Sequence, residues 1–224
     1  MPATPPSAAP DDLLLPGPPP GAFQATLPLL LASASPRRRR LLASLGVEFA
    51  VLPGDGEPDP VPGEGPADYA LRAAHAKALE AAARRPDCLV VAADTIVVLG
   101  SEIMGKPRDD AHALAMLTRL AGATHQVITG CALLPPAGGA LKPAAFAAFS
   151  DVTMVPASRE ALAAYVATGE PADKAGAYAI QGKGGFLVER VAGSYTNVVG
   201  LPLARLCRAL LEMGAIAARK IPAA

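Results

Sequence analysis

Leu89-Val-Val-Ala-Ala-Asp94-Thr95-Ile-Val-Val-Leu99-Gly100-Ser101-Glu-Ile-Met-Gly-Lys106 is the stretch whose reading decides the fold. Leu89 to Ala92 is a short apolar run and predicts a buried strand. Ile96 to Leu99 continues it, and Gly100-Ser101 has the composition of a two-residue hairpin turn. In that register Leu99 faces Glu102 and Thr95 faces Lys106, which sets Lys106 beside Asp94. Asp94-Thr95 reads as lying just past the first apolar strand. Ligands of open α/β sheets gather at the carboxyl ends of strands, so this dipeptide is a candidate site. An Asp so placed often holds a divalent ion bound to substrate phosphates. A turn Asp in a structural salt bridge gives the same pattern, and the residues alone leave both open.

Toward the N-terminus, Leu29 to Ala32 is a second buried strand, followed by Ser33-Ala-Ser-Pro36. Ser35 suits an N-cap and Pro36 the first helical position. The helix then runs through Leu41, Leu42 and Leu45 to Gly46. Its first turn carries Arg37 and Arg38, where a purely structural helix prefers acids. Basic charge at a helix N-terminus is costly unless an anion sits there. A solvated Arg run is the alternative; Arg39 and Arg40 are assigned to solvent. Val47 to Leu52 suggests a strand. Pro53 to Pro66 is a Pro/Gly-rich loop with the acids Asp55, Glu57, Asp59 and Glu64. Asp68 to Arg85 predicts an Ala-rich helix, in which Lys77 reads as an ordinary solvated Lys or a weak site candidate.

Toward the C-terminus, a helix is expected over 109–120 and strands over 126–134 and 144–155. Ser158 caps a helix to Thr168, and the Gly-rich stretch 169–185 leads to a strand over 186–191. Leu203 to Met213 is the last helix. Within the Gly-rich stretch, Gln181 carries both a donor and an acceptor and can read the edge of a base. His75, His112 and His125 have no metal spacing and are read as structural or exposed. Helices alternating with strands give an α/β class with a mixed, twisted sheet and flanking helices.

The 224 residues suffice for one such domain, with 51% hydrophobic residues, 4% aromatic and no Trp. Lys plus Arg and Asp plus Glu number 20 each. That balance argues against bulk adhesion to nucleic acid or membrane. Three dispersed cysteines, Cys88, Cys131 and Cys207, argue against a disulfide framework and fit a reducing cytoplasm. No apolar run approaches a membrane span. Residues 1–25, rich in Pro, Ala and Gly, are expected to be a disordered tail, 26–218 one domain and 219–224 a short C-terminal tail.

Seven motifs, in order, resemble the Maf family of nucleotide pyrophosphatases: Leu31-Ala-Ser-Ala-Ser-Pro-Arg-Arg38, Ala93-Asp-Thr95, Gly105-Lys-Pro107, His125 with Thr129-Gly130, Asp173-Lys-Ala-Gly-Ala-Tyr178, Ile180-Gln-Gly182 and Val199-Gly-Leu-Pro202. The resemblance implies an elongated, two-lobed, ITPase-like α/β domain with a deep central cleft, often a homodimer. It implies hydrolysis of a nucleoside triphosphate to the monophosphate and pyrophosphate with a divalent metal, Mg²⁺ or Mn²⁺, in the cytoplasm. Asp94 matches the general base and, with Glu57, the metal side. Lys77 and Lys106 join them as catalytic matches, and Ser35, Arg37 and Arg38 match substrate-binding positions. Arg37, Thr95 and Gln181 match the positions that separate subfamilies, and this set is that of the dTTP/UTP branch. Two other readings remain. One is a 7-methyl-GTP pyrophosphatase, against which that set counts. The other is a nucleotide-binding regulator of cell division, against which a water-activating Asp counts. Ala179 departs from the family's usual Gly, and Arg40 from a common acid.

Overall fold

The computed structural model describes residues 21–54, 58–59 and 61–220. Glu57, and residues 1–20 of the expected tail, lie outside them. The strands are β1 (Phe23–Ala25), β2 (Leu29–Leu31), β3 (Ala50–Val51), β4 (Leu89–Leu99), β5 (Glu102–Met104), β6 (Thr124–Leu134), β7 (Ala144–Met154), β8 (Val188–Gly193) and β9 (Ile216–Ala218). The helices are α1 (Pro36–Ala43), α2 (Pro66–Arg84), α3 (Asp110–Leu120), α4 (Arg159–Val166), α5 (Tyr195–Val199) and α6 (Leu203–Glu212). Short 3₁₀ turns cover Glu170–Asp173, Ala175–Ala177 and Lys183–Leu187.

The main sheet runs β3-β2-β4-β6-β7-β8, with β5 added to β4. Its first two pairings, β3 with β2 and β2 with β4, are parallel, and the others are antiparallel. This is the mixed α/β sheet that the sequence predicts. The hairpin register holds at Leu99 opposite Glu102, but pairing ends at Val97↔Met104 because β5 stops at Met104, so the expected pairing of Thr95 with Lys106 does not form. No helix of the described residues is long and apolar enough to cross a membrane.

Asp94-Thr95 does not lie past a strand. It lies in the middle of β4, because β6 pairs without a break from Val90↔Leu134 to Val98↔Gln126. The carboxyl end that matters is that of the neighbour. β2 stops after pairing Leu31 with Val91, and β5 starts only at Val97↔Met104. Between them the edge of β4 is notched, and Asp94 and Thr95 sit at the notch.

The same dipeptide divides the core on both faces of the sheet. On one face Leu89, Val91, Ala93, Cys131 and Leu133 belong to one apolar cluster, and Val97 and Val127 to another. Thr95 and Thr129, cross-strand partners, lie between them. On the other face Val90, Ala92 and Ala132 are separated from Ile96, Val98 and Ile128 by Asp94 opposite Gly130. Gly130 serves a close approach, since a Cβ there would come within 2.3 Å of the Ala70 carbonyl on α2.

Other boundaries differ from expectation. β1 pairs with β9, and Arg219 donates its backbone N–H to the Ala22 carbonyl and its guanidinium to the carbonyls of Phe23 and Gly46. The paired residues therefore extend before position 26 and reach Arg219. Only Ala50–Val51 of the strand expected over 47–52 pairs, because β2, its sole partner, is itself short. Phe186 falls in a 3₁₀ turn, and the last strand of the main sheet starts at Val188.

Candidate active site

The notch opens into a cavity of about 710 Å³. The sequence-predicted residues Ser35, Arg37, Arg38, Lys77, Asp94, Thr95, Lys106 and Gln181 all line it. Ser33, Asp173, Lys174, Tyr178 and Gly200 line it too.

The turn after β2 follows the predicted cap chemistry. Ser35 Oγ accepts the Arg38 N–H, and Pro36 opens α1. The two arginines that follow have different tasks. Arg37 makes no hydrogen bond with the described residues and faces the cavity. Arg38 is committed to the protein. Its Nε donates to the Gly200 carbonyl at 2.8 Å, Nη1 to Ser33 Oγ at 3.2 Å and Nη2 to Thr95 Oγ1 at 2.9 Å. Arg39 and Arg40 are exposed, as assigned, so the departure at Arg40 does not touch the cavity.

Lys77 is not solvated. It is buried on α2 and its Nζ lies 2.5 Å from Asp94 Oδ1. The signal was present in the sequence. Ala70, Ala73, Ala74, Ala78 and Ala81 form the helix's buried stripe, and position 77 falls within it at helical spacing. A buried carboxylate and ammonium in contact are each costly to leave alone, so the pair fixes both side chains.

Thr95 points to the opposite face of the sheet from Asp94. The hydroxyls form a chain. Thr129 Oγ1 lies 3.2 Å from the Asn197 carbonyl as a donor. Thr95 Oγ1 shares a 2.9 Å bond with Thr129 Oγ1, lies 3.5 Å from the Gly200 carbonyl as a donor and accepts from Arg38. Its hydroxyl hydrogen is engaged within the protein in either direction of the Thr95–Thr129 bond. Asn197, fully buried on α5, holds the far end through Val127 O and Ser150 Oγ. That five-residue helix was missed; Ser194, whose side chain accepts the Asn197 N–H, is its only local signal.

The other wall is built from turns. The chain kinks through Gly176 and Ala177, with φ of 70° and 57°, left-handed for both. Asp173 forms an ion pair with Lys174, whose side chain is 12% exposed. Hydrogen bonding to Lys174 outweighs burial and holds the Asp173 carboxyl below its ordinary range. Tyr178 meets His125 Nε2 at 2.7 Å in the apolar interior. Burial pushes the imidazole down to about 4 and raises the Tyr178 phenol. His125 is thus a neutral interior support, as the sequence reading allowed. Ala179 keeps a φ outside the left-handed region, so its Cβ is tolerated where the family has Gly. Gln181 is exposed to the cavity.

Glu64, one of the loop acids, is spent on Arg72 at 2.6 Å and lies outside the cavity lining. No group of three His, Cys, Asp or Glu able to hold a metal occurs among the described residues. Mg²⁺ needs only one or two carboxylates when phosphates and waters complete its shell. Asp94 fits that limited demand, since its Oδ2 accepts no hydrogen bond from the described residues.

A sequence model of the family described as Maf-like protein matches residues 28–213. A dTTP/UTP pyrophosphatase of Nitratidesulfovibrio vulgaris is 54% identical over 197 residues, covering 88% of this chain and 92% of that protein. Proteins of the same name from Geobacter sulfurreducens and Myxococcus xanthus are each 52% identical. The first covers 84% of this chain and 97% of itself, the second 82% and 91%. The chain belongs to the Maf-like protein family.

Proposed function

We infer that the chain is a nucleoside triphosphate pyrophosphatase that hydrolyses dTTP and UTP to the monophosphate and pyrophosphate. One observation carries the reading. The buried Asp94–Lys77 pair, the uncommitted Arg37 and the base-reading Gln181 line a single cavity of about 710 Å³. That volume lies in the usual range for small-molecule sites.

Asp94 acts as general base. It takes a proton from water as the water oxygen bonds to the α-phosphorus. The bond from that phosphorus to the oxygen bridging to the β-phosphorus breaks, and pyrophosphate leaves with the electron pair. Lys77 holds Asp94 in place. Arg37 and Lys106 supply positive charge along the triphosphate, and Ser35 and Arg38 shape the turn that receives it. A divalent cation, Mg²⁺ or Mn²⁺, would be held by Asp94 together with Glu57 and would neutralise phosphate charge when bound. Gln181 meets the pyrimidine edge. Thr95 keeps Arg38 in position. Fixed partners of this kind reject bases that leave them unpaired. The same reading makes the enzyme a cytoplasmic homodimer; light scattering of the purified chain checks the dimer.

The test is pyrophosphate release with Mg²⁺ from dTTP, UTP, CTP, ATP, GTP and 7-methyl-GTP, beside Asp94→Asn. Release from dTTP and UTP that vanishes in the variant is the expected result. Release confined to 7-methyl-GTP overturns the substrate assignment, and an Asp94→Asn variant with full turnover removes Asp94 from its role. Tight binding without release from any nucleotide would favour the regulator.

A further inference from the structure

The loop that carries Gln181 is held by two residues that no motif singled out. Glu170 begins the 3₁₀ turn after α4, and Tyr165 lies on α4 itself. Glu170 Oε1 accepts the Lys183 N–H at 3.0 Å, and Oε2 accepts the Gly184 N–H at 2.8 Å and the Tyr165 hydroxyl at 2.9 Å. The Tyr165 oxygen in turn accepts the Ala179 N–H at 3.2 Å. One carboxylate and one phenol thus close both ends of the segment from Ala179 to Gly184, and Gln181 lies between those ends.

Two glycines make this possible. A Cβ at Gly182 would lie 2.3 Å from Glu170 Oε1, and one at Gly184 would lie 2.4 Å from the Tyr165 oxygen. Gly182 also has a φ of 98°, which disfavours any other residue. These glycines make room for the carboxylate and the phenol. Burial works to raise the Glu170 carboxyl, but the N–H groups of Lys183 and Gly184 and the Tyr165 hydroxyl outweigh it and hold it below the ordinary range. The acceptor is therefore ionised at neutral pH and takes charge-assisted bonds from the loop.

We propose that Glu170 and Tyr165 are positioning residues that fix Gln181 in the cleft and so set discrimination between bases without touching substrate. This rests on the reading that Gln181 meets the base. Glu170→Gln is the sharp variant, because it keeps the shape and puts an NH₂ group where an acceptor is required. Tyr165→Phe is the milder one and frees only the Ala179 N–H and one bond to Glu170.

The experiment measures Kd for dTTP and CTP without turnover, in the Asp94→Asn background, with and without each variant. Thermal unfolding and amide exchange at Ala179, Lys183 and Gly184 are followed in parallel. Glu170→Gln should weaken dTTP about tenfold and bring the dTTP-to-CTP ratio toward one, with faster exchange at Lys183 and Gly184. Tyr165→Phe should act in the same direction but less, with faster exchange at Ala179. A loosened loop with an unchanged ratio overturns the proposal, as does equal binding of the two nucleotides before either variant is made. Discrimination that disappears with the variants, in a chain that releases no pyrophosphate before mutation, would fail the hydrolysis reading and leave the positioning role standing.

Discussion

The two walls of the cleft are built by different means. One is carried by β2, α1, α2 and β4, so its side chains take positions set by helical and strand periods. Lys77 and Asp94 meet because a buried helical stripe faces the even-numbered side of a strand. The other wall, from Glu170 to Leu187, consists of 3₁₀ turns and kinks. Its side chains are placed by hydrogen bonds from backbone N–H groups to Glu170 and Tyr165. On the proposed function, the periodic wall offers the general base and charge for phosphates, and the turn-built wall offers the base reader. That proposal puts chemistry that must tolerate no displacement on regular elements, and selection among similar ligands on a tethered loop.

The strongest blow to the first wall is Asp94→Asn. Loss of a general base should lower kcat by about 10²- to 10⁴-fold in pyrophosphate release. If Gln181 serves only selection, the residual activity should keep its preference for dTTP over CTP.

Acid should attack the second wall. His125 supports Tyr178, and burial holds its imidazole down at about 4, against 6.5 ordinarily. Between those values the unfolded chain binds the extra proton. Stability from this group is complete above pH 6.5 and is lost as pH falls to 4, by about 3 kcal/mol. Urea unfolding across that window should show the loss, and His125→Gln should flatten it.

Arg37→Ala probes the first wall without touching its scaffold. A charged hydrogen bond to substrate contributes about 2 kcal/mol, so kcat/KM should fall roughly 10- to 100-fold with Tm unchanged. The smallest effect belongs to Arg39→Gln, on the exposed side of the same helix turn. Stability and turnover should stay within about 0.5 kcal/mol of the parent. A large effect there would mean that the Arg run works as one electrostatic unit, not as Arg37 alone.

The difference between the walls also governs what the sequence could reveal. Ser35-Pro36, the Gly100-Ser101 turn and the apolar runs are local signals, and the elements they predict are present. The placement of Asp94 within β4 was not legible, because the pairing that continues the strand comes from β6, more than thirty residues away in sequence. Lys77 was legible only by treating its alanine neighbours as a buried face. Glu170 and Tyr165 gave no signal, since nothing in their spacing announces that their partners are backbone groups of a later loop. β1 and β9 are three-residue strands, too short for alternation to mark, and their pairing joins positions almost two hundred residues apart.

That last pairing brings positions 22 and 219 together. Ala22 and Arg219 are hydrogen-bonded neighbours, so in a chain trimmed to residues 22–219 a short linker could join them without disturbing the sheet. The exposed turn at Gly138-Gly139, between β6 and β7, contributes nothing to the cleft and would serve as the new opening. In such a permutant β7 would open the chain and β6 would close it, and the tethered loop would precede the α2 stripe and the notch in β4.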